Sequence, residues 1–129
     1  MEENIEKICD LDPELYRCVS RNIRTREVVI TEERIAHIKE RHPNDYEQYA
    51  AYLADIIAHP QYILESDMPH TAFRLKEYID CGKRFQLILR LSIPSDNPIY
   101  KNSVITFLHI NERKWRKYLR NKKILYKSE

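Results

Sequence analysis

Two histidines and an arginine within six residues, His37, Arg41 and His42, are the first group here whose types and spacing could do chemistry. Histidine moves protons near neutral pH, and arginine grips phosphate through a planar fork. Cleaving RNA by attack of its own 2′-hydroxyl needs a base, an acid for the departing 5′-oxygen, and cations around the phosphorus. Further along, Arg90 stands mid-strand, where a long cation needs a partner or a ligand; the plain alternative is a cross-strand ion pair with Glu77 or Glu65. Ser103 and Thr106 could donate to a phosphate, although ordinary strand propensity explains them equally well. His70 and His109 read as packing residues.

Other chemistries have less support. His37 and His42 are five apart, about 140° around a helix, so they cannot share one metal as histidines four apart do. Cys9, Cys18 and Cys81 contain no C-x-x-C pair and read as reduced thiols. Gly82 is the one glycine, which excludes a glycine-rich phosphate loop, a dinucleotide fingerprint and a nucleophile elbow. No metal and no cofactor is therefore expected.

The residues that must position this group follow from capping and periodicity. Thr31 is an N-cap, Glu32 and Glu33 suit the positive end of a helix dipole, and Ile30 and Ile35 form a hydrophobic staple. Pro43 stops that helix near residue 41, leaving His37 and Arg41 one turn apart and His42 at the exposed end. Residues 4–22 show two short helical patterns broken at Asp12-Pro13, and 27–30 (EVVI) read as a short strand. Asn44 to Ala58 reads as one helix begun by a capping box.

From residue 61 the period changes to two. Strands are expected at 61–65, 71–79, 84–92 and 103–110, the middle pair joined by a hairpin through Gly82. Alternation places Phe85, Leu87, Leu89 and Leu91 on one face and predicts a polar, cationic opposite face carrying Arg74, Lys76, Tyr78, Arg84 and Arg90. It also sets Ser103 and Ile105 against Val104 and Thr106. A final helix over 111–123, capped by Asn111, has a Trp115-Tyr118-Leu119 stripe and an otherwise basic surface that includes Arg113.

The chain is 129 residues, 43% hydrophobic and 33% charged, which suits one folded domain: a helical lead-in at 1–26 and a core at 27–129. No apolar run approaches the roughly 18 residues of a membrane span, and residues 1–20 lack a signal-peptide core, so a cytoplasmic protein is expected. Charge is divided: residues 1–66 hold 8 Lys/Arg and 14 Asp/Glu, against 14 and 6 in 67–129. A basic second half suits a polyanionic partner.

Three segments carry a resemblance: VVITEERIAHIKERHP, YILESDMP, and the closing NSVITFLHINERKWRKYLRNKKILYK. Together they resemble the phage-encoded barnase–EndoU–colicin–RelE-like nucleases, over about Tyr16 to Lys127. The resemblance implies N-terminal helices packed on a four-stranded antiparallel sheet, within an α+β class, and a metal-independent ribonuclease acting on tRNA or mRNA. It implies His42, with His37 the other matching histidine, in proton transfer. Arg90, Ser103 and Thr106 then fall where such folds present phosphate-binding and transition-state groups.

The expectation is a toxin-like endoribonuclease leaving 2′,3′-cyclic phosphate ends, with a cognate immunity protein as a further partner. His42 and His37 would be acid and base, His42 being favoured for its place at the helix end. Arg90 and Thr106 complete the catalytic set, and Arg41, Ser103, Arg74, Lys76, Tyr78 and Arg113 would bind RNA. The alternative is a non-catalytic RNA- or protein-binding module on the same fold.

Overall fold

The strand Asn102–Ile110 has hydrogen-bonded neighbours on both sides, and the sheet is ordered around it. The computed structural model describes residues 5–128. In chain order these form β1 (Ile5–Asp10), β2 (Glu27–Thr31), α1 (Glu32–Arg41), α2 (Asp45–Tyr49), α3 (Leu53–Ala58) and β3 (Tyr62–Glu65). They continue with β4 (Thr71–Tyr78), β5 (Lys83–Arg90), β6 (Asn102–Ile110), α4 (Glu112–Asn121) and β7 (Ile124–Lys127). Among the described residues the strands make one seven-stranded sheet, β1-β2-β6-β5-β4-β3-β7, antiparallel except for the β2–β6 pair.

This corrects the expected four-stranded antiparallel sheet under N-terminal helices; the protein remains α+β. The reason lies in bulges. In β1 the register passes from Lys7–Val29 to Cys9–Val28, so Ile8 is an extra residue. That insertion turns a period of two into apolar residues at 5, 8 and 9, which imitates a helix. β7 escaped notice because its short ILYK run pairs with β3 across a second irregularity.

Local chemistry accounts for the helices that flank the site. Thr31 Oγ1 accepts the Arg34 N–H at 3.2 Å to begin α1, and Asn111 Oδ1 accepts the Lys114 N–H at 2.8 Å to begin α4. Asn44 does not cap: it sits in the left-handed region (φ 72°), which asparagine tolerates, with no side-chain bond. The expected helix to Ala58 is instead broken by a 3-10 turn at Ala50–Tyr52. Around that turn both Tyr49 and Tyr52 reach Phe85, with ring centroids at 5.0 and 5.5 Å.

Cross-strand partners share a face, and the register settles what each face carries. Leu87 lies opposite Arg74, and Phe85 opposite Lys76. The expected division into a greasy and a cationic face is therefore wrong. Arg74, Lys76 and Tyr78 share the face of Phe85, Leu87 and Leu89, which is buried under Ile38, Leu53, Ile56 and Ile57. The opposite face is also apolar where Phe73, Leu75, Leu108 and Ile110 pack against Trp115, Tyr118 and Leu119 of α4. No helix among the described residues is long and apolar enough to cross a membrane.

Arg74 is fully buried, with Nη1 donating to Tyr16 Oη, while that hydroxyl donates to the Ile57 carbonyl. Its Nε and Nη2 have no partner among the described residues. Replacing Tyr16 with Phe removes the acceptor for a buried cation and the donor for a buried carbonyl. We expect Tyr16→Phe to lower unfolding free energy by about 1–3 kcal/mol. Urea denaturation checks this, and an unchanged midpoint would show that neither bond matters.

Candidate functional site

Two strands meet at the open end of the sheet with their polar groups on one face. Arg90, at the end of β5, is paired with Ser103 at the start of β6, and Ile88 is paired with Thr106. Simple alternation would send Ser103 and Thr106 to opposite faces. A bulge between these pairs, with Leu89 opposite Val104 and Ile105 as the extra residue, returns Thr106 to the face of Arg90. Leu89 and Val104 meanwhile stay in the core beneath. The floor of the site depends on this insertion.

A cavity of about 510 Å³ opens over this floor, lined by Arg34 and Glu33 from α1, by Arg90 and Ser103, and by Asp96, Tyr100 and Lys101 from the 93–101 loop. Arg90 is anchored but not consumed: Nη1 donates to the Leu91 carbonyl and Nη2 reaches Asp96 Oδ1 at 3.2 Å. Asp96 Oδ2 accepts the Ile93 N–H at 3.0 Å. That hydrogen bond, with Arg90 and Arg24 beside it, holds the Asp96 carboxyl below its usual range against the cost of its burial. Lys101 pairs with Glu27 at 3.4 Å.

The loop itself is pinned from below. Arg24 donates to Ser92 Oγ at 3.0 Å, to the Asn97 carbonyl at 3.1 Å and to the Tyr100 carbonyl. Asn102, fully buried, accepts the Ser92 N–H at 2.8 Å and donates to the carbonyls of Thr25 and Glu27 at 2.7 and 2.9 Å.

α1 forms the facing wall. Arg34 lines the cavity, and His37 and Arg41 follow it at helical spacings of three and four along the same flank. His37 is exposed and stands about 4.5 Å along the axis from Arg34; His42 lies about 12 Å along it. His42 is half-buried as the C-cap, its N–H donating to the Ile38 carbonyl. Burial pushes its ring pKa below 6.5, and Lys114 of α4, Arg41 and His37 press the same way, while Asp45 opposes them. Asp45 Oδ2 also accepts the backbone N–H of His109 at 2.9 Å.

A family model described as phage-Barnase-EndoU-ColicinE5/D-RelE like nuclease2 matches residues 11–127. The chain belongs to this nuclease family. No curated protein and no solved structure matches it. Membership in a nuclease family implies a nucleic-acid substrate.

In this member of the nuclease family, the structure brings together only some of the residues expected at the site. Arg90 and Ser103 line one cavity, Thr106 lies further along the same face, and His37, one helical turn beyond Arg34 on α1, is outside that lining. His42, the histidine favoured for exposure, is the less exposed of the two. Arg74 is withdrawn from solvent and cannot reach a phosphate. Lys76 and Tyr78 are engaged by Asp55, Lys76 at 2.8 Å, on the other face of the sheet. Arg113 is exposed on α4, but it is Lys114 that acts on His42. Sequence reasoning missed Glu33, Arg34, Asp96, Tyr100 and Lys101, whose meeting depends on the β2–β6 pairing. Arg34 carried the one available signal, as the residue three before His37.

Protonated His42 is disfavoured in the fold, so the unfolded chain binds the proton more readily. This contribution to stability is present above pH 6.5 and is lost as pH falls below that through the folded value. NMR titration of the ring should place His42 below 6.5. Lys114→Gln should move it up and Asp45→Asn further down. A His42 pKa insensitive to both changes would disprove this electrostatic setting.

Proposed function

We propose that this protein is a metal-independent endoribonuclease whose scissile phosphate binds between Arg90, Arg34 and the Ser103 hydroxyl. The observation that carries the reading is the cavity itself, which is lined by two arginines from separate elements and by a serine. Arginine's fork suits a phosphate's oxygens, and a cation already held at Asp96 has little freedom left to lose. The Arg90–Asp96 pair is partly exposed, so it is worth only about 0–1 kcal/mol and yields to a doubly bonded phosphate.

The chemistry follows from what stands around that position. One base removes the proton of the 2′-hydroxyl, whose oxygen attacks phosphorus; the bond from phosphorus to the 5′-oxygen breaks, and an acid protonates that oxygen. The products are a 2′,3′-cyclic phosphate and a 5′-hydroxyl end. His37 is one proton carrier. Glu33, which lines the cavity four residues before it on the same flank, is the other. Arg90 and Arg34 take the charge that builds on the phosphoryl oxygens, with Thr106 as a hydroxyl donor and Ser103 as another once its hydroxyl turns from the Lys101 carbonyl, to which it donates at 3.2 Å. His42, beside Lys114, steers the outgoing strand rather than the reacting atoms. The basic residues of α4 make tRNA or mRNA backbone a suitable extension of the ligand.

Arg90→Ala and His37→Ala should each lower kcat/KM on an oligoribonucleotide by about 10²–10⁴-fold, and His42→Ala by far less. Arg90→Lys should restore only part, because an ammonium cannot bind two oxygens at once. A 2′-deoxy substitution at the scissile nucleotide should stop cleavage, and EDTA should leave it unchanged. Cleavage that survives His37→Ala or the 2′-deoxy substitution would refute the mechanism. RNA binding with no turnover in the wild type would favour a binding module instead.

A further inference from the structure

The wall of the cavity opposite α1 ends in an aromatic ring that the fold leaves idle. Tyr100 is 60% exposed, and its neighbour Ile99 is 73% exposed. The exposure does not come from a slack backbone. The Tyr100 N–H donates to the Asn97 carbonyl at 2.9 Å, and its own carbonyl accepts from Arg24 and from Ser92 Oγ at 3.0 Å. Ser92 is itself buried, and its carbonyl accepts the Arg24 N–H at 2.9 Å.

The ring, by contrast, is held by nothing. The eight other tyrosines all pack against one of the two hydrophobic cores. Among the described residues the Tyr100 side chain has no hydrogen bond, no ring contact and no place in either core. It nevertheless lines the cavity that contains Arg34, Arg90 and Lys101. A fixed backbone carrying an unengaged aromatic face beside cations has the parts of a stacking platform: little ordering to pay on binding, and a flat surface next to a phosphate site.

We propose that Tyr100 stacks on the base of a nucleotide adjoining the phosphate at Arg90, so that the substrate is an unpaired stretch of RNA. This inference rests on the phosphate site proposed above and specifies its substrate class. In a duplex each base face is covered by its neighbours, and only a single-stranded or looped base can offer one to a side chain. A cavity of about 510 Å³ also suits a single nucleotide unit rather than a helix.

The test compares wild type, Tyr100→Ala and Tyr100→Phe on three probes: a single-stranded oligoribonucleotide, the same oligomer with abasic ribose throughout, and its duplex. Tyr100→Ala should lower kcat/KM on the single strand by about ten- to a hundredfold. Tyr100→Phe should retain wild-type activity, and the abasic oligomer should bring wild type down to the level of Tyr100→Ala. The duplex should be the poorer substrate throughout. Thermal melts should be unchanged by Tyr100→Ala, since the ring packs against nothing. If wild type cleaves or binds the single strand and Tyr100→Ala matches it, the platform is refuted while the phosphate site stands. If wild type neither binds nor cleaves any RNA, the phosphate site is refuted and the platform with it.

Discussion

The carboxamide of Asn102 is the joint on which the rest of the site depends. It is fully buried, and its one oxygen and one nitrogen serve three backbone groups: Ser92 beyond β5, and Thr25 and Glu27 at the start of β2. An unpaired backbone group at that depth costs free energy comparable to a lost hydrogen bond, so the three segments are constrained together. The β2–β6 pairing they support is very short, covering Val28–Asn102 and Val29–Ser103. Because α1 begins where β2 ends, that short parallel register decides that Arg34 faces Arg90 across the cavity.

Two further constraints convert this frame into a site. The bulge at Ile105 puts Ser103 and Thr106 on one face of the sheet while keeping Val104 and Phe107 in the core. The pinning of the 93–101 loop by Arg24 then sets Asp96 against Arg90 and leaves Tyr100 and Lys101 at the rim. The polar groups on this face are thus held by the fold itself, the arrangement that electrostatic stabilisation of a developing charge requires. The carboxylate of Asp96 keeps a partly exposed guanidinium in position without burying it.

Much of the fold is legible in the sequence, and most of the failures come from bulges and from pairing register. Capping signals at Thr31 and Asn111 gave both long helices with their starts, and period-two runs gave β3 to β6. What alternation could not reveal was every place where a bulge resets the period. Ile8 made β1 look helical, and Ile105 hid the shared face of Ser103 and Thr106. Pairing register was equally invisible: nothing in TAFRLKEY states that Arg74 will lie opposite Leu87 and be buried on Tyr16. The family segments contain His37, His42, Ser103 and Thr106, while Arg90 stands out only as a cation in mid-strand. They were silent on Tyr100 and Lys101, which matter through a loop whose course is set by distant Arg24 and Asn102.

The central claim is that a phosphate of RNA sits on Arg90 and Ser103, between α1 and the loop. A crystal structure with a 2′-deoxy oligonucleotide, which lacks the attacking hydroxyl, tests it most directly. The account predicts phosphate oxygens within hydrogen-bonding distance of Arg90, Arg34 and Ser103 Oγ, with the Arg90–Asp96 bridge opened. An oligonucleotide lying along the basic face of α4, with that bridge intact and the cavity empty, would contradict it.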